Sequence, residues 1–186
     1  MKKLIALLFV VGGIFGARAQ ALNEVKINIF NTIAIASAEV GYEHFIDVNQ
    51  SIGADLHLND RFSYAAEKSG KKFKTNSIGL NYNYYFGGED GENGSGYVVT
   101  PFLKYRFGKF EENKWRDNVA GIAEEYTHET NMNSMIIGLG FGYKWALGDS
   151  FTISPFANIA RNFSGEVNDR FSAIEFNGGV NIGFRF

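Results

Sequence analysis

Apolar and polar residues alternate with a period of two along nearly the whole chain. From Val25, the odd positions Val25, Ile27, Ile29, Ile33 and Ile35 are apolar, Lys26, Asn28 and Thr32 are not, and Asn31 breaks the apolar face. Ala38, Val40, Tyr42, His44 and Ile46 then alternate with Glu39, Gly41, Glu43 and Phe45. After "DVNQ", Ile52, Ala54, Leu56 and Leu58 stand against Ser51, Gly53, Asp55 and His57. Ile78 to Phe86, Tyr97 to Phe107, Met135 to Leu147 and Phe151 to Ile159 repeat the pattern, and "IEFNGGVNIGFRF" closes with it. A period of two is the signature of strands with two unlike faces. It predicts about eight strands, each near the ~9–11 residues that cross a bilayer at a tilt. The polar segments 60–74, 111–131 and 161–172 read as loops, with a helical turn around Asn118 to Tyr126 and a tight connection near Ala36-Ser37.

Alternation alone fits two solvents. A soluble sandwich or carrier-like barrel buries the apolar face; a membrane barrel turns it outward to lipid. Three features favour the membrane. The polar face carries Gly41, Gly53, Gly79, Gly138, Gly140, Gly142, Gly179 and Gly183. Small residues suit the converging inside of a narrow barrel and would only weaken a solvent-facing sheet. Connections also alternate in length: "DVNQ", "GGEDGENGSG" and "LGDS" at one end, the three long polar segments at the other. Short periplasmic turns and longer outer loops are the outer-membrane pattern, and the ten-residue "GGEDGENGSG" is long for such a turn. Finally, Tyr84, Phe86, Tyr97, Tyr143, Trp145 and Phe151, with Phe184 and Phe186, fall at one level on the apolar face, an aromatic girdle. The expected fold is all-β: a closed antiparallel up-and-down transmembrane β-barrel of about eight strands.

The first residues add a location. Lys2 and Lys3, an apolar run from Leu4 to about Phe15, and Ala17-Arg18-Ala19 make a cleavable secretory signal peptide over residues 1–19, leaving the barrel in 20–186. There is no Cys, so neither a disulfide framework nor a lipid-modified Cys is available. Without Lys2, Lys3 and Arg18, the 18 basic residues become 15 against 20 acidic, a balance unsuited to nucleic acid. The expected location is the cell outer membrane.

The terminal aromatic pair of "FRF" resembles the C-terminal signal of outer-membrane barrels, in which Phe184 and Phe186 would be read by the barrel assembly machinery. The opening "NTIAIASAEVGYEHFID" resembles that of small outer-membrane barrels of Bacteroidota, many known only as domains of unknown function. More distantly the chain is similar to OmpA- and OmpX-type eight-stranded barrels. The resemblance implies a porin-like fold and a location; it implies no activity, so no catalytic residue is carried over.

Parity points Lys26, Glu39, Glu43, Asp55, His57, Lys104, Arg106, Lys144, Glu175 and Arg185 into the lumen, with opposite charges at both ends. An eight-stranded interior is just wide enough for side chains, so these read as a paired charge network rather than a channel. A narrow ion-conducting pore is the sharper alternative. A lipid A-modifying enzyme is a second, but His57 in "HLND" lacks a nearby Ser, His44 falls on the lipid face, and His128 sits in an acidic loop. "EDGENG" lacks the spacing of a calcium loop, so no metal or cofactor is expected. Expected partners are outer-membrane lipid and lipopolysaccharide, and an envelope protein met through the outer loops, where Trp115 stands out as a contact residue.

Overall fold

The computed structural model describes residues 22–35, 37–60, 71–88, 93–117 and 123–186. The expected signal peptide, residues 1–19, lies outside them. The described elements are β1 (Asn23–Asn28), α1 (Ile29–Ile35), β2 (Ala38–Asp47), β3 (Gln50–Leu58), β4 (Lys71–Phe86), β5 (Gly96–Asp117), β6 (Ala123–Asn131), β7 (Ser134–Leu147), β8 (Phe151–Asn162), α2 (Gly165–Arg170) and β9 (Ile174–Arg185). Every strand pair is antiparallel, and β1 meets β9, so β1, β2, β3, β4, β5, β7, β8 and β9 close an eight-stranded up-and-down barrel.

Register fixes the barrel's width. Successive partners run from Val25 through Tyr42, Ala54, Leu80, Leu103, Ile137 and Arg161 to Ile174. Val25 itself faces Phe184, so the ring closes with an offset of 184 − 174 = 10 residues. For eight strands that offset implies a tilt of about 40° and a backbone radius of about 8 Å. Such a lumen has room for side chains and little else.

Alternation then sorts the chain by face. Ile78, Leu80, Tyr82, Tyr84 and Phe86 on β4 are exposed, while Thr75, Ser77, Asn81, Asn83 and Tyr85 between them are buried. The lumenal glycines make space for larger neighbours. A Cβ on Gly183 would overlap Glu24 and Thr152, one on Gly41 would overlap Asp55 and Lys26, and one on Gly138 would overlap Phe102.

Three sequence expectations are corrected. The alternation from Val25 to Ile35 is not one strand: β1 stops at Asn28, whose Oδ1 accepts from the Asn31 amide (3.1 Å) and so caps α1. The segment 111–131 is not a loop. β5 continues to Asp117 and pairs with β6, and Ala123 to Tyr126, expected in a helical turn, are strand; 118–122 lie outside the described residues. Lys71 to Lys74, expected in a loop, begin β4, while the 161–172 loop contains α2, capped by Ser164.

Both ends of the lumen are shut by apolar clusters. At the end away from the chain termini, expected to face outward, Phe73, Phe110, Met132 and Val167 bury one another, with Phe171 against them. At the end holding Asn23 and Phe186, Phe45, Tyr85 and Val98 form the second cluster. Asn93 to Ser95, just before β5, lie beside it. Gly94, at φ 56°, lies flat against the Phe45 ring where any Cβ would clash, and its amide bonds Val48 O at 2.8 Å. Residues 89–92 of this turn lie outside the described set.

Candidate functional site

The candidate site is the charged lumen, arranged in layers. The layer nearest the termini gathers Glu24, Lys26, Glu43, Lys144 and Arg185. Lys144 Nζ lies 3.2 Å from Glu24 and 2.9 Å from Glu43, Lys26 lies 3.5 Å from Glu43, and Arg185 Nε is 3.1 Å from Glu24. Ser51 and Tyr85 hydroxyls donate to Glu43 at 2.6 and 2.5 Å, and Thr152 donates to Glu24 at 3.0 Å. Lys144 also sits over the Tyr85 and Phe45 rings, at 5.0 and 5.5 Å from their centroids, and Arg185 sits over Phe45 at 5.3 Å. Each buried charge thus has an opposite charge and a further polar or aromatic partner, the condition under which burial is tolerated.

The outer layer is built on Arg106. Its guanidinium donates to Asp60 from Nε at 3.0 Å and to both oxygens of Glu175 at 2.8 Å, a two-pronged pair that fixes orientation. Lys104 reaches Asp60 at 3.1 Å, Ser77 donates to Asp60 at 2.5 Å, and Asn162 donates to Glu175 at 2.9 Å. Two cations therefore face two carboxylates. Between the layers lie amides and hydroxyls. Asn81 donates to Asp55 at 2.5 Å, Asn83 to Ser51 at 2.9 Å, and Thr100 to Asn83 at 2.9 Å. They border a cavity of about 90 Å³ whose lining includes Lys26, Glu39, Asp55, His57, Glu175 and Asn177. That is room for a handful of waters.

Of the expected lumenal residues, Lys26, Glu43, Lys144 and Arg185 come together in the inner layer, and Lys104, Arg106 and Glu175 in the outer one. Asp55 lies at mid-height, accepting from Asn81 and facing Lys26 across Gly41. His57 and Glu39 form their own pair at 3.7 Å near α1, where Asn28 donates to Glu39 at 3.0 Å. The buried Ser77 and Ser51 hydroxyls are committed to carboxylates rather than to an imidazole. No group of three or more metal-ligating side chains occurs among the described residues.

Two members were missed. Glu24 shares the parity of Lys26 and was one residue before the recognised strand. Asp60 had no readable signal. Continued alternation past Leu58 would point it outward, but Asn59 takes φ 56°, which reverses the phase and turns Asp60 inward.

Outside the lumen, Tyr84, Phe86, Tyr97, Tyr143 and Trp145 form one row of ring contacts across β4, β5 and β7, with centroids 4.8 to 6.3 Å apart. Phe151 and Phe184 continue the level at 5.5 Å, and Phe186 exchanges backbone hydrogen bonds with Asn23. At the opposite end the β5–β6 hairpin projects beyond the ring. Lys109–Glu129 (2.7 Å) and Arg116–Glu124 (3.7 Å) cross-link it, Lys74–Glu111 (2.7 Å) ties it to β4, and Arg170–Glu112 ties it to α2. The hydrogen bond from Lys74 holds the Glu111 carboxyl below the usual glutamate range. Trp115 on this hairpin is 67% exposed.

No protein-family model matches the chain, and no curated protein does. Among solved structures it is similar to the N-terminal β-barrel domain of Pseudomonas aeruginosa OprF, at 14% identity over 88% of this chain and 96% of that one, with a TM-score of 0.45. It is also similar to Ail, the attachment invasion locus protein of Yersinia pestis, at 10% identity over 90% of this chain and 100% of that one, with a TM-score of 0.44.

Proposed function

We propose that this protein is an integral outer-membrane β-barrel with a filled, non-conducting and non-catalytic lumen, which acts through its outer hairpin and loops. One observation carries the reading: a closed barrel whose outside is apolar and whose inside is charged. Ile174 to Phe184 spans ten residue steps of outward Ile, Phe, Gly and Val, which at about 3.3 Å per residue and 40° of tilt makes a band about 25 Å tall. Water would not tolerate so continuous an apolar exterior, and a bilayer requires it. The aromatic row is where an interface would lie, with lysine- and glutamate-rich β-structure beyond the other edge of the band. On this reading the surrounding partners are outer-membrane lipid and lipopolysaccharide, the assembly machinery acts at insertion, and the hairpin bearing Trp115 is the surface for an envelope partner. The Bacteroidota-like opening of the sequence fits the same assignment.

The test is fractionation followed by conductance. The protein should stay in outer membrane through an alkaline carbonate wash and run at different positions on an SDS gel before and after boiling. Reconstituted in a planar bilayer it should show no steady open current. Release by the wash would overturn the membrane assignment, steady conductance would overturn the filled lumen, and an altered lipid A acyl pattern on expression would overturn the non-catalytic role.

A further inference from the structure

The barrel wall is not strand throughout. β1 is hydrogen-bonded to β9 only as far as Asn28 opposite Asn181. Above that level β9 from Ile174 to Val180 has β8 on one side and no strand on the other, and Ala38 and Glu39 of β2 likewise extend beyond β1. Among the described residues this is the longest break in the ring's ladders; the β4–β5 and β7–β8 ladders each skip two residues per strand, beside Pro101 and Pro155. α1 fills it. The helix has no charged residue and presents Phe30 and Ile33 outward, Ile33 at 84% exposure, at the depth of the apolar band.

Side chains, not a ladder, hold α1 in place. Asn31 Nδ2 donates to Asn177 Oδ1 on β9 at 3.0 Å, and Asn28 Nδ2 donates to Glu39 Oε2 on β2 at 3.0 Å. Gly179 lets Asn28 approach β9, since a Cβ there would overlap the Asn28 amide. Glu39 and Asn177 also line the central cavity, so the latch is the cavity's side wall. The cavity's axial ends are shut by the two charge layers and the aromatic clusters behind them.

We propose that α1 is a side gate from the outer leaflet into the lumen, and that its ligand is the uncharged, hydroxyl-bearing head of an amphiphile whose chain stays in lipid. The latch groups are three amides and one carboxylate, which can donate to and accept from hydroxyls. The lysines of the cavity lining are each paired with a carboxylate, Lys26 with Glu43, Lys104 with Asp60 and Lys144 with Glu24 and Glu43, so the lining favours a hydroxyl-bearing head over a phosphate. The inference rests on the outer-membrane reading.

The test uses a single thiol in a chain that has none. Ser154→Cys places it in the cavity lining with little change of volume. In phosphatidylcholine vesicles, labelling by a membrane-permeant maleimide is timed for this variant alone, with Asn31→Ala and Asn177→Ala added, and with Phe45→Ala or Phe110→Ala added. The latch substitutions should speed labelling by roughly tenfold at most, the factor that the one hydrogen bond they remove is worth. The axial substitutions should not. An alkyl glucoside should slow the labelling, and an alkyl phosphate of the same chain length should not. Acceleration by the axial variants alone, or no labelling in any variant, would overturn the gate; equal protection by the phosphate would overturn the ligand class. A chain that fails to insert into vesicles would instead refute the membrane reading.

Discussion

Arg106 offers the sharpest probe of the lumen. It is 1% exposed, and its charge-assisted hydrogen bonds include one to Asp60 and two to Glu175. In the outer layer Arg106 and Lys104 balance Asp60 and Glu175. Replacing Arg106 with Met keeps bulk but leaves Glu175 held mainly by Asn162, and Asp60 shared between Lys104 and Ser77. Removing one partner of a buried pair costs about 3–5 kcal/mol, and the retained contacts place this case toward the lower end. Glu175→Gln should cost less, because Gln keeps the Asn162 hydrogen bond. The double variant Arg106→Met with Glu175→Gln restores the charge balance, leaving Lys104 against Asp60. It should therefore be more stable than Arg106→Met alone, with a coupling of about 2 kcal/mol. Equilibrium unfolding in urea from lipid vesicles, followed by tryptophan fluorescence, measures all four corners of the cycle. Additive losses, or a cost below about 1 kcal/mol for Arg106→Met, would refute the claim that the lumen is a paired network.

Gly183→Ala should destabilise by about 1–3 kcal/mol through its overlap with Glu24 and Thr152, whereas Gly165→Ala, with nothing near its Cβ, should be close to neutral in the same urea titration. The hairpin should loosen in acid. Glu111 is held below its ordinary value by Lys74, so its contribution is present above the unfolded value and is lost as pH falls through the lowered one. Fluorescence anisotropy of Trp115 in a Trp145→Phe background should stay flat from pH 7 to the ordinary glutamate range and drop below it; no drop would mean that Glu111 does not tether the hairpin. Raising salt should weaken the exposed Lys109–Glu129 and Arg116–Glu124 pairs and leave the lumenal layers unmoved, which hydrogen exchange of β6 against β7 would show.

The period of two made the closed barrel legible because each wall strand separates two unlike surroundings, and their parity can be counted. It misled where that condition fails. Above the apolar band, beyond Phe110, the faces of β5 and β6 are mostly polar, so Glu111 to Asp117 and Ala123 to Asn131 carry no clear alternation, and cross-strand charge pairs hold them as strand. In α1 the odd positions Ile29, Ile33 and Ile35 continue a strand-like pattern, and only the Asn28 cap marks the helix. Asp60 joined the site through one left-handed residue, Asn59, a backbone event that side-chain pattern does not record.

The central claim is a barrel turned apolar side out, and β7 tests it directly because it is paired on both sides from Ile136 to Gly142. Single cysteines carrying an environment-sensitive fluorophore, placed in turn from Ile136 to Lys144, would be challenged with lipids brominated in their acyl chains and with aqueous iodide. The account predicts bromine quenching at Ile137, Leu139, Phe141 and Tyr143 and none at Ile136, Gly138, Gly140 and Lys144. Iodide quenching at the odd positions, or bromine quenching at the even ones, would contradict it.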